Sequence, residues 1–425
     1  MKKTLVIGLG LSGRAVSLFL LSLGKKVLGI DDNLNKLALN PEFIDLKNQG
    51  LIALDFQEVD FEDIELVIVS PGISPSHPAY KKALELGIPL KGETDFSLSY
   101  LKNRCLGITG TNGKTTVTLL TEHVLNACKI KAKAVGNVGT PLSTYLLQAD
   151  PSEVLVIELS SYQLETMSDP IFDAGVILNI TPDHLDRYPS MHEYAEAKCR
   201  LKKCIKHAGR LYLYEEVEKE YKDLLGEASY EVYSLNETSF LFNEKKPFFE
   251  LLNAYASFCL CKGLGVSEEA FLEGLNSFKK PLHRVEFVKE LNGVAFYDDS
   301  KGTNIDAVIK AVEAMPGPVI LIGGGVDKGA SYMPWKKPFL GKVKKIVVIG
   351  EAADKIENEL SAYFDVEKEK TLEAAIDRAL ALANKGDCVL LSPGCSSFDM
   401  FRDYAHRGDV FKQYINVLEG RANKL

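Results

Sequence analysis

The sequence lacks the features that mark several classes of protein. Among its 425 residues, no apolar run approaches the roughly 18 that a membrane span requires. Met1–Gly8 has one short apolar stretch and then glycines, unlike a secretory signal peptide. The basic excess of a duplex-DNA-binding protein is also missing, because 50 Lys and Arg against 58 Asp and Glu give a net charge of −8. We therefore expect neither membrane insertion nor nucleic-acid binding, although a few backbone amides could still bind a phosphorylated small molecule.

Disulfide patterns, internal repeats and low-complexity tracts are absent as well. The eight cysteines are scattered without a CxxC pair, which predicts reduced, mostly buried thiols and a cytoplasmic location. The apolar content of 46% and the charged content of 25% are ordinary for a globular protein. At roughly 150 residues for each domain, the length suggests about three domains.

Short β-branched runs alternate with helical segments, which predicts an α/β fold with parallel sheets. We place the three domains at residues 1–92, 93–281 and 282–425. The predicted strands are Thr4–Gly8, Lys26–Asp31, Glu65–Ser70, Cys105–Thr109, Glu153–Leu159, Gly175–Ile180, Val294–Asp298, Pro318–Gly323, Lys345–Gly350 and Asp387–Ser392. The predicted helices are Arg14–Leu23, Asn304–Met315, Ala352–Ala362, Leu372–Asn384 and Phe401–Leu418. The charged segment Tyr212–Lys246 has too weak a pattern for a prediction.

A glycine-rich loop, here called the N-terminal loop, occupies residues 8–13 with the sequence GLGLSG. It follows a predicted strand and opens a helix, as the GxGxxG pattern requires. Asp31 and Asp32 end the next strand, where an acid would contact a ribose hydroxyl. Taken alone, the pattern predicts a nicotinamide or flavin nucleotide. The alternative is a tight turn between strand and helix that binds nothing.

A second glycine-rich loop, here called the phosphate loop, has the sequence ITGTNGKTT at residues 108–116. Its amides, Lys114 and Thr115 are suited to phosphates and to Mg²⁺, respectively. The strict P-loop pattern has glycine where this chain has Ile108, so the loop is a variant. Glu158 ends a later strand, and an acid there could hold the same metal. A chance loop with a surface lysine is the alternative.

Acidic residues, a histidine and several lysines follow in the predicted central domain, residues 93–281. Residues 179–188, NITPDHLDRY, suit a metal or phosphate site, although His184 alone is better explained as a structural histidine. Lys198 lies among other lysines, and its simplest interpretation is a solvated side chain, since an ammonium cannot bind Mg²⁺.

In the predicted C-terminal domain, three polar loops follow strands, at residues 297–304, 323–328 and 391–399. Lys328 and Ser397 could bind a small carboxylate by charge and hydrogen bond, whereas Thr303 or Ser300 could simply cap a helix. Each loop alone is more often a turn than a site. Several of them at the carboxyl ends of strands favour an active site shared between domains.

Taken together, six motifs resemble the Mur ligase family. They are TGTNGKT at 109–115, ELSS at 158–161, the asparagine and histidine of 179–184, HR at 283–284, DSK at 299–301 and SPG at 392–394. The resemblance covers nearly the whole chain and keeps the family's three-domain order. It implies a Rossmann-like N-terminal domain that binds UDP, a central P-loop ATPase-like domain and a Rossmann-like C-terminal domain that binds an amino acid. The N-terminal loop would then hold UDP and not a nicotinamide.

The resemblance is strongest to the members that join D-glutamate to UDP-N-acetylmuramoyl-L-alanine in peptidoglycan synthesis. It implies ATP as the phosphate donor, an acyl phosphate intermediate, two Mg²⁺ sites and a monomer. Three alternatives stay open at this point. They are a sister ligase with another amino acid, a nicotinamide-dependent oxidoreductase supported only by the N-terminal loop, and a nucleotide-binding module without activity.

The resemblance also implies roles for individual residues. The ATP contacts are Gly110, Thr111, Asn112, Gly113, Lys114, Thr115, Thr116, Asn253, Arg284 and Asp299. The first Mg²⁺ would be held by Thr115 and Glu158, and the second by His184 and by Lys198 as a carbamate. The implied catalytic residues are Lys114, Glu158, His184 and Lys198. The UDP-substrate contacts are Leu11, Ser12, Asp31, Asp32 and Asn137, and the D-glutamate contacts are Thr303, Lys328, Ser397 and Tyr404.

Two positions depart from the family pattern. Phe249 and Glu250 stand where a His-Asn pair usually precedes Asn253, so the contacts to adenine are expected to differ. Tyr404 stands where an aromatic residue without a hydroxyl is familiar.

Overall fold

The computed structural model describes residues 2–237 and 248–422 of the chain. These residues form two compact units. The first unit contains the residues up to 180 together with 192–278, and the second contains 181–191 together with 279–425. Among the described helices, none is both long enough and apolar enough to cross a membrane.

The first unit begins with a five-stranded parallel sheet in the order β3-β2-β1-β4-β5. Its strands are β1 (Lys3–Ile7), β2 (Val27–Ile30), β3 (Ile52–Ala53), β4 (Ile64–Val69) and β5 (Leu90–Gly92). Its helices are α1 (Leu11–Ser22), α2 (Leu34–Leu37), α3 (Pro41–Asn48), α4 (Pro78–Glu85) and α5 (Glu93–Leu98). Alternate residues of β1 and β4 pack into separate apolar cores on the two faces of the sheet. Both faces of these strands are buried, which explains why their sequences are nearly continuous apolar runs.

A second parallel sheet completes the first unit, in the order β11-β10-β9-β6-β8-β7. Its strands are β6 (Arg104–Thr109), β7 (Ala132–Gly136), β8 (Val154–Glu158), β9 (Phe172–Ile177), β10 (Ile205–Tyr214) and β11 (Glu231–Tyr233). The helices are α6 (Lys114–Ala127), α7 (Leu142–Leu146), α8 (Ser161–Leu164), α9 (Met191–Cys199), α10 (Glu215–Leu225), α11 (Phe248–Lys262) and α12 (Glu268–Ser277). Because β6 lies between β8 and β9, the loops after these three strands meet at one edge.

The second unit holds the third sheet, in the order β12-β13-β17-β14-β15-β16, with β12 antiparallel to β13 and the other pairs parallel. Its strands are β12 (Glu286–Leu291), β13 (Val294–Asp298), β14 (Val319–Gly324), β15 (Val343–Ile349), β16 (Asp365–Lys368) and β17 (Cys388–Leu391). Its helices are α13 (Ile305–Ala314), α14 (Lys336–Phe339), α15 (Ala353–Leu360), α16 (Leu372–Leu382) and α17 (Tyr404–Ala422). Apolar cores cover both faces of this sheet.

The prediction of an α/β fold with parallel sheets is confirmed, and each predicted strand and helix overlaps an observed one. The ends differ by a few residues; for example, α1 begins at Leu11 and not at Arg14. The segment Tyr212–Lys246, for which no prediction was possible, contains the end of β10, then α10 and β11, and its residues 238–247 lie outside the described part. The domain boundaries after residues 92 and 281 stay a proposal.

Candidate active site

The phosphate loop connects β6 to the start of α6. Gly110 and Gly113 have φ angles of 150° and 87°, which L residues with side chains rarely adopt. A Cβ on Gly113 would lie 2.3 Å from Oδ1 of Asn253, so the Asn253 side chain packs directly against the loop backbone. The two glycines therefore bring backbone amides and the N-terminus of α6 to one place, an arrangement that favours phosphate binding.

Asn179, just beyond β9, fixes the phosphate loop in position. Its Oδ1 accepts a hydrogen bond from the Asn112 amide at 2.8 Å, and its Nδ2 donates to the Asn112 carbonyl at 2.9 Å. Its backbone carbonyl accepts from the Thr111 amide at 2.8 Å. Sequence reasoning singled out Asn179 only as part of a motif. Its position after a strand that neighbours β6 was the signal that could have indicated this role.

Two lysines converge on the carbonyls of the phosphate loop. Lys114 Nζ donates to the carbonyls of Gly110 and Thr111, both at 2.8 Å. Lys198 Nζ donates to the same Gly110 carbonyl at 2.7 Å and lies 4.7 Å from the centre of the Tyr194 ring. Since Lys198 is only 1% exposed, the interpretation of this lysine as a solvated side chain is wrong. The loop thus combines amides with two cations, which is the charge that a polyphosphate requires.

Glu158 ends β8 beside the phosphate loop, because its backbone pairs with Ile108. The side chain is 2% exposed, and its Oε1 accepts a hydrogen bond from Asn137 Nδ2 at 2.8 Å. Its Oε2 is buried without a hydrogen-bond partner among the described residues. Buried polar atoms are normally satisfied, and a carboxylate oxygen is a ligand that Mg²⁺ prefers. Glu158 therefore fits a metal site, with the buried Thr115 next to Lys114 as the other predicted ligand.

Contacts within the protein hold the N-terminal loop in a tight turn. A Cβ on Gly13 would lie 1.8 Å from the Gly8 carbonyl oxygen, so this close turn requires glycine. Asp31 accepts a hydrogen bond from the Leu9 amide at 2.7 Å with Oδ2, and one from the Asn33 amide at 2.8 Å with Oδ1. Three other predicted substrate contacts lie around this turn: Leu11 and Ser12 begin α1, and Asp32 is exposed, with one carboxylate oxygen 3.4 Å from His77 Nε2. The last one, Asn137, lies after β7 and binds Glu158.

In the second unit, Lys328 lies beside a small cleft. Its Nζ donates to Asp183 Oδ1 at 3.0 Å, and Asn304 Nδ2 donates to Asp183 Oδ2 at 3.3 Å. The residues that line the cleft are Pro182, Asp183, Asn304, Ile305, Asp327, Lys328, Ala330, Tyr332 and Gly394. His184 follows with a φ of 57°, and its amide donates to Asp183 Oδ1 at 2.9 Å. Lys328 is thus already bound to a carboxylate, the chemical group expected of its ligand.

Asp299 is buried close to Arg284, and both are predicted nucleotide contacts. Asp299 accepts hydrogen bonds from Ser392 Oγ at 2.6 Å and from the Val285 amide at 3.2 Å. Burial raises the pKa of Asp299 to about 7, although the Ser392 hydroxyl and the Arg284 cation oppose that rise. The Arg284 Nε atom is buried without a hydrogen-bond partner among the described residues. A ligand acceptor at that nitrogen would satisfy it.

The other predicted amino-acid contacts lie on two loops and one helix of the second unit. Thr303 is on the loop after β13, Ser397 is buried on the loop after β17, and Tyr404 begins α17. The Tyr404 hydroxyl accepts a hydrogen bond from Lys301 Nζ at 3.2 Å. The predicted site residues therefore form two sets. The first unit holds the phosphate loop, Glu158, Lys198, Asn253 and the UDP contacts, and the second unit holds His184, Arg284, Asp299 and the amino-acid contacts.

Comparison with known proteins agrees with this arrangement. Residues 2–92 match the N-terminal domain described as Mur ligase MurD-like, 108–250 the Mur ligase middle domain, and 283–395 the Mur ligase glutamate ligase domain. The UDP-N-acetylmuramoylalanine–D-glutamate ligase of Protochlamydia amoebophila is 47% identical over 436 residues, which cover 98% of each chain. The ligase of that name from Chlamydia pneumoniae is 35% identical over 428 residues, covering 98% of this chain and 99% of the relative.

Two solved structures share the fold. The UDP-N-acetylmuramate-alanine ligase MurC of Thermotoga maritima has a TM-score of 0.60 at 17% identity, covering 99% of this chain and 100% of its own. The MurF ligase of the same organism, in complex with ADP, has a TM-score of 0.61 at 16% identity, covering 93% and 96%. With three matching domains and a relative of this identity over almost its full length, the chain belongs to the Mur ligase family.

Proposed function

We propose that this chain is an ATP-dependent, ADP-forming ligase that joins D-glutamate to UDP-N-acetylmuramoyl-L-alanine in peptidoglycan precursor synthesis. The observation that carries the proposal is the phosphate loop, where Lys114 and Lys198 meet at the Gly110 carbonyl beside the buried Glu158. Support also comes from relatives of that name that match nearly the whole chain. The fold shared with an ADP-bound MurF ligase is consistent with ATP as the nucleotide.

The chemistry requires activation of a carboxylate, which is a poor acylating agent. A carboxylate oxygen of UDP-N-acetylmuramoyl-L-alanine attacks the γ-phosphorus of ATP, the bond between that phosphorus and the β-bridging oxygen breaks, and ADP leaves. The amine of D-glutamate then attacks the acyl carbon, inorganic phosphate leaves with its electron pair, and the nitrogen loses a proton as the amide forms. The protein mainly positions the reactants and stabilises charge. In this proposal, the loop amides and Lys114 bind the β- and γ-phosphates.

Two Mg²⁺ ions are part of the proposal. The buried Glu158 oxygen, which has no hydrogen-bond partner among the residues that the structure describes, supports the first site, where Thr115 is the second ligand. His184 and a carbamate on Lys198 are assigned to the second site by resemblance to the family. When bound, Mg²⁺ neutralises phosphate oxygens. A carbamate would replace the ammonium that now donates to the Gly110 carbonyl with oxygen ligands.

The amino-acid acceptor is assigned to the second unit. Lys328 supports this assignment, because its ammonium binds the Asp183 carboxylate and can bind a substrate carboxylate by the same charge-assisted hydrogen bond. Thr303, Ser397 and Tyr404 complete the proposed acceptor contacts. The UDP substrate is assigned to Leu11, Ser12, Asp31, Asp32 and Asn137, and the enzyme is proposed to act as a cytoplasmic monomer.

Adenine is proposed to be held in a way that departs from the family pattern. Asn253 is fixed against Gly113 and can contact the nucleotide, but Glu250, which is half-buried at the start of α11, replaces the usual asparagine. The side chain of Phe249 lies outside the described part of the structure. Arg284 and Asp299 are the remaining proposed nucleotide contacts.

The test is phosphate release from ATP and Mg²⁺ with UDP-N-acetylmuramoyl-L-alanine, measured with D-glutamate, with L-glutamate, with other amino acids and without an amino acid. We expect release to require D-glutamate and to fail with L-glutamate, and the product mass to increase by one glutamyl residue. Release stimulated by a different amino acid would identify a sister ligase. Tight binding of NADH without any phosphate release would overturn the ligase assignment.

A further inference from the structure

Helix α17 carries a buried cation to which the proposed reaction assigns no role. Arg407 lies one turn after Tyr404 and is 1% exposed. Burial lowers the pKa of Arg407 to about 10, which still leaves the guanidinium charged at neutral pH. A buried charge is costly unless it is well bonded. The described hydrogen bonds of this side chain go to three backbone carbonyls and one hydroxyl.

The guanidinium connects the loops after β13 and β17. Nε donates to Ser300 Oγ at 3.0 Å and Nη2 to the Ser300 carbonyl at 2.9 Å. Nη1 and Nη2 donate to the Cys395 carbonyl at 3.3 and 3.2 Å. Ser300 Oγ in turn donates to the Tyr404 carbonyl at 2.7 Å. Ser300 is three residues before Thr303, and Cys395 is two residues before Ser397, so both connected loops carry a proposed acceptor contact.

A third loop, the one after β14, packs against the same side chain. A Cβ on Gly325 would lie 3.3 Å from Arg407 Nη1 and 2.2 Å from the Ser396 carbonyl oxygen. Val326 and Ser396 exchange backbone hydrogen bonds at 2.9 and 3.2 Å. The Ser396 carbonyl also accepts from Arg407 Nη1 at 3.5 Å. Lys328 lies two residues beyond Val326, so its loop is joined to the other two at this point.

We propose that Arg407 is the positioning residue of the amino-acid pocket, holding the loops that carry Thr303, Lys328 and Ser397 at fixed distances from Tyr404. The inference rests on the proposed function, because it assumes that these four residues bind the acceptor amino acid. Arginine suits the role, since its planar guanidinium offers five donors in a rigid fork that can bond several carbonyls at once. Lysine has the charge but not the fork. In this proposal the guanidinium does not contact the amino acid; it affects binding only by holding the loops in position.

The experiment compares Arg407→Lys, Arg407→Met and Ser300→Ala with the unaltered chain in the phosphate-release assay. For both Arg407 variants we expect the KM for D-glutamate to rise about tenfold or more, with the KM values for ATP and for the UDP substrate changing less than about threefold. Ser300→Ala removes only the acceptor of Nε and the donor to the Tyr404 carbonyl, so we expect a rise of about threefold and little risk to folding. Thermal unfolding is recorded for each variant. The control is Arg378→Lys, since Arg378 lies on the surface and pairs with Glu367.

Two results would overturn the proposal. An Arg407→Lys variant with an unchanged KM for D-glutamate would mean that the fork is not needed. A lower melting temperature with all three KM values unchanged or equally changed would mean that Arg407 only stabilises the fold. Failure of the proposed function is distinguishable, because it would remove D-glutamate-dependent release from the unaltered chain, whereas failure of this proposal leaves that chain active.

Discussion

The N-terminal loop and the phosphate loop share a strand–loop–helix arrangement but differ in the polar side chains around them. Each follows a central strand of its parallel sheet and leads into a helix, and each depends on glycines at close approaches. In the N-terminal loop, both Asp31 oxygens accept hydrogen bonds from backbone amides of the protein itself. At the phosphate loop, Lys114 and Lys198 provide two cations, and the nearby Glu158 has one buried oxygen without a hydrogen-bond partner in the described part of the chain.

The difference teaches that glycine spacing determines the path of the backbone, whereas the charged side chains determine the ligand. The acid that a dinucleotide-binding interpretation would give to a ribose hydroxyl is already bonded to the N-terminal loop. A nicotinamide site is therefore poorly supported there, in agreement with membership of the Mur ligase family. Substitutions in the two loops should therefore differ in whether they lower the rate of phosphate release or the free energy of unfolding.

Removing the charge from the phosphate loop should have the largest effect. We expect Lys114→Met to lower phosphate release at least about 1,000-fold, equivalent to about 4 kcal/mol, because the charge that stabilises the transferring phosphoryl group is lost. The melting temperature should stay close to that of the unaltered chain. Lys133→Met, at an exposed lysine of β7, is the control. An active and well-folded Lys114→Met variant would remove the phosphate-loop assignment.

In the N-terminal loop, the largest effect should fall on stability. A Cβ on Gly13 would lie 1.8 Å from the Gly8 carbonyl oxygen, whereas one on Gly10 would have no heavy atom within 4 Å. We therefore expect Gly13→Ala to lower the free energy of unfolding by about 3 kcal/mol and Gly10→Ala by less than about 1 kcal/mol. Urea denaturation measures both. Equal effects of the two variants would show that this turn is not closely packed.

The sequence predicted the strands with long apolar runs and missed those that are short or of mixed polarity. Strands such as β8, which is buried throughout, leave no ambiguity. In contrast, β12 is an edge strand with a mixed sequence and partial exposure, and the first part of β10 includes the polar residues Lys206, His207 and Arg210. Their pairing depends on neighbours that are distant in the chain, which a local pattern does not contain.

For the candidate site, the sequence indicated the loops but not their internal contacts. Lys114 and Glu158 stand out because a lysine after glycines and an acid after a strand are chemically distinctive. Lys198 gave no local signal that it is buried, since its burial results from the packing of α9 on the phosphate loop. Arg407 gave none either, because its acceptors are backbone carbonyls, which every residue has.

Lys198 should show the next effect in size. We expect Lys198→Ala to lower phosphate release about 100-fold, equivalent to about 3 kcal/mol, because the side chain proposed to carry the carbamate ligand of the second Mg²⁺ is removed. Added acetate or formate should restore part of the activity if a carbamate is the working form, since a carboxylate can supply similar oxygen ligands. Lys203→Ala, at an exposed lysine nearby, is the control. Full activity of Lys198→Ala would contradict the assignment, and the absence of rescue would contradict the carbamate.

The smallest effect is expected at Asp31, and it separates two roles for that carboxylate. Asparagine can still accept the hydrogen bond from the Leu9 amide but without charge, so Asp31→Asn should cost about 1 kcal/mol of unfolding free energy. If the loop then binds the UDP substrate less well, its KM should rise about threefold, while the KM values for ATP and D-glutamate stay unchanged. Asp45→Asn, at an exposed carboxylate of α3, is the control.

The two measurements together decide how Asp31 acts. A carboxylate that shapes the loop should change stability and the KM for the UDP substrate together, since both depend on the same hydrogen bond to Leu9. A carboxylate that instead binds the substrate directly should raise that KM and leave unfolding unaffected, because the lost contact exists only in the complex. The second result would remove the contrast between the two loops, since the N-terminal loop would then also present a charge to its ligand.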